Sequence, residues 1–185
     1  MADASLEFEE LPPDASSLAE SLRAFNYTLP TAIADLVDNS ITAGARNIWL
    51  DFHWEGANST ITVSDDGRGM TEAELVQCMR LGSRNPLQDR DANDLGRFGL
   101  GLKTASFSQC RRVTVCSRAS KLGNIAARTW DLDHLAQAGS WQLLKSGMDE
   151  SSLTLRRIAA IPPAIFVVAN RDIMYLKIDF RTFRD

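Results

Sequence analysis

Three short stretches carry residue types and spacings that could do chemistry. The first is Ala34-Asp-Leu-Val-Asp-Asn-Ser40. On a helical wheel Ile33, Leu36, Val37, Ile41 and Gly44 fall on one side, and Asp35, Asp38, Asn39 and Thr42 on the other. Asp35 and Asn39 are four apart, so they stack on one face. A merely solvated face would mix in Lys, Glu and Arg. Short acids with an amide are mediocre helix formers, and their choice suggests hard-cation or water chemistry. The second stretch is Val63-Ser-Asp-Asp-Gly-Arg-Gly-Met70. It reads either as a tight turn or as a carboxylate placed to accept a hydrogen bond from the amino group of a base, with glycines letting the backbone pass close to a flat ring. The third is Gly96-Arg-Phe-Gly-Leu-Gly-Leu-Lys-Thr104. It is either a hinge or a helix start whose bare backbone N–H groups face phosphate.

Familiar catalytic sets are missing. The two histidines, His53 and His134, lie far apart and have no metal-ligand partner at close spacing. There is no GxSxG elbow. Gly67-Arg-Gly69 is followed by Glu72 where a dinucleotide-binding fingerprint needs a third glycine. The third stretch also misses a standard Walker loop. Leu102 stands between Gly101 and Lys103-Thr104, and one inserted residue turns a helical side chain by roughly 100°.

The elements around these stretches follow from pattern. A short amphipathic helix is expected over 15–25. A second should start at Thr28 and Pro30, run to about 43 and stop at Gly44. Ile48, Leu50, Phe52 and Trp54 alternate as in a half-buried strand, and Ile61-Thr-Val63 begins its hairpin partner. Thr71 with Glu74 forms a capping box for a helix through Met79. Residues 82–98 are polar and aperiodic, as in functional loops. A helix over 99–109, strands over 112–118 and 124–131, a short helix over 133–138 and a strand over 141–144 complete the core. Further on, a helix near 153–159 and strands near 165–168 and 174–180 are expected. The class is α+β.

Composition narrows the rest. The chain has 185 residues, 44% of them hydrophobic and 24% charged, with 20 Lys+Arg against 24 Asp+Glu. That excludes disorder and a disulfide scaffold, and argues against a surface built wholly for nucleic acid. The run over 158–168 is too short and too broken by Pro162 and Pro163 to span a bilayer, so no membrane partner is expected. The opening MADASLEFEELPPD lacks the features of a secretory signal. Cys78, Cys110 and Cys116 form no CxxC pair and read as reduced thiols in a cytoplasmic protein.

The order of the three stretches is more specific than any one of them. A helix with D-x-x-D-N, a strand with DDGRGM about 26 residues later, a polar loop and then GRFGLGLKT together resemble the N, G1 and G2 boxes of the GHKL superfamily, which includes the gyrase B subunit, large heat-shock chaperones, MutL and histidine kinases. NSITAGA and FGLGLKTASFSQC look most like the microrchidia-type ATPases. The resemblance covers roughly residues 27–131.

It implies a Bergerat fold: a two-layer α/β sandwich with a mixed, mostly antiparallel sheet and helices on one face. It also implies ATP and Mg2+ as ligands. Asn39 would coordinate the metal, and Asp65 would accept the adenine amino hydrogen, directly and through water. Gly67, Gly69 and Met70 would line the base. Gly99, Leu100 and Gly101 would wrap the phosphates with backbone N–H groups. Lys103 would add a point charge, and Thr104 would cap or bind phosphate. Residues 82–98 would be a lid hinged at Gly82 and Gly96.

The family's ATPases usually carry Glu as the residue that activates water. Here that position is Asp35, shorter by one methylene, roughly 1.5 Å, and a misplacement of that size can cost about 100-fold in rate. Three readings follow: slow hydrolysis serving as a conformational and dimerisation switch, a nucleotide-gated binding module without meaningful hydrolysis, or the catalytic domain of a sensor kinase. ATP-dependent homodimerisation, and DNA or a protein client as partner, come with the resemblance. Residues 1–15 are expected to be an arm and 16–185 the ATP-binding domain, either the N-terminal part of a longer protein or an isolated domain.

Overall fold

The computed structural model describes residues 9–24, 27–54, 59–82, 101–120 and 123–145, and the backbone of 165–170. The expected helix over 153–159, the strand over 174–180 and most of the 82–98 loop lie outside the described residues.

The helices begin where side chains can satisfy their first N–H groups. Asp14 caps α1 (Ala15–Arg23) through Ser17 N–H at 2.7 Å. Thr28 caps α2 (Leu29–Thr42), with Pro30 in its first turn. The helix ends at Ala43, and Gly44 follows at φ +76°. α3 (Glu72–Met79) starts on the expected capping box: Thr71 Oγ1 accepts from Glu74 N–H, and Glu74 accepts from Thr71 N–H at 2.7 Å. α4 (Gly101–Gln109) carries the end of the third stretch. α5 (Leu132–Ala138) is capped by Asp131 and closed by left-handed Gly139.

The strands are β1 (Ile48–His53), β2 (Thr60–Asp65), β3 (Arg112–Ser117), β4 (Ala126–Asp131) and β5 (Ile165–Asn170). Their order in the sheet is β1-β2-β5-β3-β4, and each pairing is antiparallel. The last strand in sequence is therefore the middle strand in space. It separates two hairpins, and because β5 opposes both β2 and β3, those two run in the same direction. Ser64 and Cys116 both face Phe166 in the register, so the C-terminal ends of β2 and β3 sit level with one another.

Alternate residues of the sheet (Val63, Val113, Val115 and Trp130) pack under the helices with Leu22, Leu36, Leu75, Met79, Phe107 and Leu135. Two polar ties hold α3 to β4. Trp130 Nε1 donates to the Met79 carbonyl at 2.9 Å, and Arg128 pairs with Glu72. The strand expected over 141–144 is reduced to one isolated bridge, Leu144 to Thr129. No helix among the described residues is long and apolar enough to cross a membrane.

Phe107 is fully buried at the centre of this packing. Phe107→Ala should destabilise the fold by about 3–5 kcal/mol in denaturant unfolding. Burial pushes the Cys110 and Cys116 thiols up to about 12, whereas Cys78 is half-buried. The thiolate is the reactive form, so a disulfide reagent at pH 8 should modify Cys78 in the native protein and reach Cys110 and Cys116 only after denaturation. Rapid modification of either in the native state would contradict this burial.

Candidate functional site

The site is built at the C-terminal end of β2. Asp65, its last residue, is 1% exposed. A carboxylate at that depth needs hydrogen bonds to remain charged. Asp65 Oδ2 accepts from Ser40 Oγ at 2.9 Å, and Oδ1 accepts from Gly67 N–H at 2.8 Å. One donor comes from α2 and the other from the turn after β2, so the carboxylate joins the two elements.

Ser40 corrects the helical wheel. The buried face of α2 is Leu29, Ala32, Leu36 and Ser40, while Ile41, expected inside, is 53% exposed. The reason is that the last turn of α2 faces the Asp65 carboxylate rather than more core, so a hydroxyl takes the inward position.

The turn itself is tightly held. Arg68 N–H donates to the Ala43 carbonyl at 3.0 Å, and Met70 N–H donates to Ser117 Oγ at 2.8 Å. Asp66 accepts from the backbone N–H and side-chain amide of Asn47 and from Arg46 N–H, and these donors hold its carboxyl below the usual carboxylate range. Its exposed carboxylate thus clamps the start of β1. The glycines have packing reasons of their own. A Cβ on Gly67 would lie 2.9 Å from both Ala43 Cβ and Asp65 Oδ1. Gly69 has φ +65°, and a Cβ there would lie 2.0 Å from the Arg118 carbonyl oxygen. Their missing side chains therefore admit other parts of the protein itself, not only a ring. The side chain of Met70 is half-buried against the core.

The flank of α2 next to this buried row, roughly 100° round the helix, carries Asp35 and Asn39. Asn39 is exposed, and its amide nitrogen donates to the Asp35 carbonyl at 2.8 Å, which turns the amide oxygen outward as the atom available to a ligand. Asp35 is half-buried, and its Oδ2 accepts from the Tyr27 hydroxyl at 3.0 Å. A Cβ on Gly101 would sit 3.9 Å from Asp35 Oδ2, so the start of α4 lies beside this carboxylate. Thr104, mostly buried, is within hydrogen-bond reach of Tyr27 and also turns back toward the Gly101 carbonyl at 3.4 Å.

Lys103 departs from expectation. It is 2% exposed, and its Nζ donates to the Cys78 carbonyl at 2.7 Å. The ammonium is directed at the end of α3, and α4 is enclosed on all sides here, since the consecutive residues Lys103, Thr104, Ala105, Ser106 and Phe107, more than one full turn, are all buried. Gly99, Leu100 and the hinge position Gly96 lie outside the described residues. Gly82, the other expected hinge, has φ +65°.

The structure thus brings Asp35, Asn39, Asp65, Gly67 and Gly101 around one helix, α2. Sequence reasoning missed Tyr27, Ser40 and Ser117. Ser40 adjoins Asn39 and could have been found from its place in the buried i, i+4 row after Leu36. Tyr27 and Ser117 carried no local signal. A separate apolar hollow of about 30 Å3 lies between α2, α4 and β2, lined by Ile33, Ile61 and Ala105 among others. It holds a water-sized body at most and is not the nucleotide-sized crevice the boxes imply. Among the described residues no three acidic, His or Cys groups cluster as a metal site. A cation here would need most of its oxygen ligands from elsewhere. That suits Mg2+, which usually binds one or two protein oxygens plus substrate phosphates and waters.

Ser40→Ala should cost about 1–3 kcal/mol in unfolding free energy, because it removes a donor from a buried carboxylate. Gly69→Ala should cost more than about 2 kcal/mol, since left-handed strain of about 1–2 kcal/mol adds to the clash with Arg118. Wild-type stability in the Gly69 variant would overturn this account of the turn.

A family model described as "Histidine kinase-, DNA gyrase B-, and HSP90-like ATPase" matches residues 27–159. The chain is also similar to the DNA mismatch repair protein MutL of Rhodospirillum rubrum, 34% identical over 100 residues, 54% of this chain and 16% of that protein. It is similar to ATPase morc-1 of Caenorhabditis elegans, 31% identical over 88 residues, 48% of this chain and 10% of that protein. The chaperone protein HtpG of Bacillus velezensis is 34% identical over 109 residues, 55% of this chain and 17% of that protein. The chain spans less than a fifth of the length of each. The family match covers more than half of the chain and begins at Tyr27, the residue that reaches Asp35. This chain belongs to the histidine kinase-, DNA gyrase B- and HSP90-like ATPase family, the GHKL ATPases.

Proposed function

We propose that this domain binds ATP with Mg2+, hydrolyses it slowly, and uses the bound nucleotide as a conformational and dimerisation switch, with residues 16–185 as the ATP-binding domain. The observation that supports this best is the double use of α2. Its buried row sends Ser40 to a buried carboxylate at the end of β2, and the flank beside it presents Asn39 and sets Asp35 beside the start of α4.

In this reading Asp65 accepts the adenine amino hydrogen at the floor of the crevice. Its fixed hydrogen bonds mean that no rearrangement is needed to present the charge. The Asn39 amide oxygen is the protein's ligand to Mg2+, which neutralises phosphate charge when bound. The backbone N–H groups of Gly99, Leu100 and Gly101 would hold the phosphates. Asp35 orients the attacking water and takes its proton. Lys103, bonded to the Cys78 carbonyl, has a bracing role between α4 and α3. Thr104 supports Tyr27 and Asp35.

Hydrolysis is slow in this reading because Asp35 is one methylene shorter than the glutamate usual in the family. The same feature supports a second reading, in which nucleotide binding alone gates a partner, DNA or a protein client. Phosphate release with Mg2+ in excess separates the two. Asn39→Ala should abolish ATP binding or turnover. Asp35→Asn should leave ATP affinity within about twofold and remove turnover, roughly a 100-fold loss or more. Full affinity and turnover in the Asn39 variant would overturn the assignment of the site. Surviving turnover in the Asp35 variant would remove Asp35 as the base. A wild type without measurable turnover, together with a large gain in Asp35→Glu, would favour the gating reading.

A further inference from the structure

Asp35 does not stand alone on its helix. The Tyr27 hydroxyl donates to Asp35 Oδ2 at 3.0 Å across the helix start, eight residues away in sequence. Tyr27 is itself anchored from the other side of the site: its carbonyl accepts from Gln109 Nε2 at 2.9 Å. Gln109 is the last residue of α4, and Gly101, whose added Cβ would lie 3.9 Å from the same Asp35 oxygen, is the first. Both ends of α4 therefore meet the Tyr27–Asp35 pair, and Thr104, one turn into that helix, is also within hydrogen-bond reach of the phenol.

We propose that Tyr27 is a positioning residue for the hydrolytic step: its hydroxyl fixes one oxygen of the short Asp35 carboxylate so that the other is held toward the attacking water, and it ties that orientation to α4. The proposal rests on the assignment of Asp35 as the group that orients water. A terminal carboxylate torsion is broad and has two equivalent faces. An aspartate that must do a glutamate's work has less reach, so its orientation matters more. A hydrogen bond to one oxygen removes the rotational freedom without consuming the second oxygen. The donor keeps its proton at neutral pH, because burial, then the hydrogen bond to Asp35 and its charge, raise the phenol above its ordinary value. The pair also places a residue just before α2 in contact with both α2 and α4.

The test is a double-variant cycle on the full chain with ATP and Mg2+, reading kcat and the ATP Kd separately. Tyr27→Phe removes one oxygen and keeps the ring. It should leave the Kd within about twofold and lower kcat by about 10- to 100-fold. In the Asp35→Asn background the same change should have no further effect on kcat, because the carboxylate it positions is gone. The Tyr27→Phe protein should melt within a few degrees of wild type, which separates this loss from a folding defect. Wild-type kcat in Tyr27→Phe, an equal loss in both backgrounds, or a kcat loss matched by weaker ATP binding would each overturn the positioning role. If Asp35→Asn abolishes turnover while Tyr27→Phe keeps the wild-type kcat, the positioning role fails alone. If Asp35→Asn turns over normally, the assignment of Asp35 fails and takes the positioning role with it.

Discussion

The structure turns on a buried carboxylate. An ion taken out of water costs several kcal/mol unless it is paired or hydrogen-bonded, and Asp65 is almost wholly buried with donors from Ser40 and Gly67. Each constraint nearby follows from keeping those donors in place. Ser40 must point inward, which fixes the rotation of α2, leaving Asn39 exposed and Asp35 half-buried beside Tyr27 and Gly101. Gly67 must bring its N–H back toward the residue two before it, which leaves no room for a Cβ beside Ala43. The turn then continues through Gly69 against the Arg118 carbonyl to Met70, whose N–H reaches Ser117. A single acid thereby aligns a helix, a strand end and the neighbouring hairpin.

The sheet supplies the frame for this alignment. With β5 between the two hairpins, β2 and β3 run in the same direction and end level, so the turn after β2 can lean on the end of β3. Were the hairpins direct neighbours, Ser117 would not stand where Met70 N–H needs it. α4 packs against α2 and carries Gly101, from the end of the glycine-rich segment, to Asp35.

Local chemistry was legible in the sequence where one residue type performs one local act. The Thr71–Glu74 capping box, the proline near the start of α2, the stop at Gly44 and the β1–β2 hairpin each depend on neighbours within a few residues, and the three boxes are recognisable by order and spacing. Non-local facts were not legible. The place of β5 in the sheet depends on two hairpins lying far from it in sequence. Lys103 looked like a phosphate ligand because it follows glycines, yet its rotation on α4 sends it to Cys78. Ile41 looked like core and Ser40 did not, since apolarity is a good guide only where the buried neighbour is apolar. Tyr27 lies just before α2 in a stretch with no motif, and only the folded arrangement brings it to Asp35.

The central proposal is that Asp65 accepts a hydrogen bond from the amino group of a purine base. Comparing the equilibrium affinities of ATP and GTP in the presence of Mg2+ tests it most directly. The two share the triphosphate and sugar but exchange an amino donor for an oxo acceptor at the position a carboxylate would meet. A site built to hydrogen-bond one group rejects the analogue lacking it by large factors, so the account predicts ATP binding at least about 100-fold tighter than GTP. Equal affinity for the two nucleotides would contradict it.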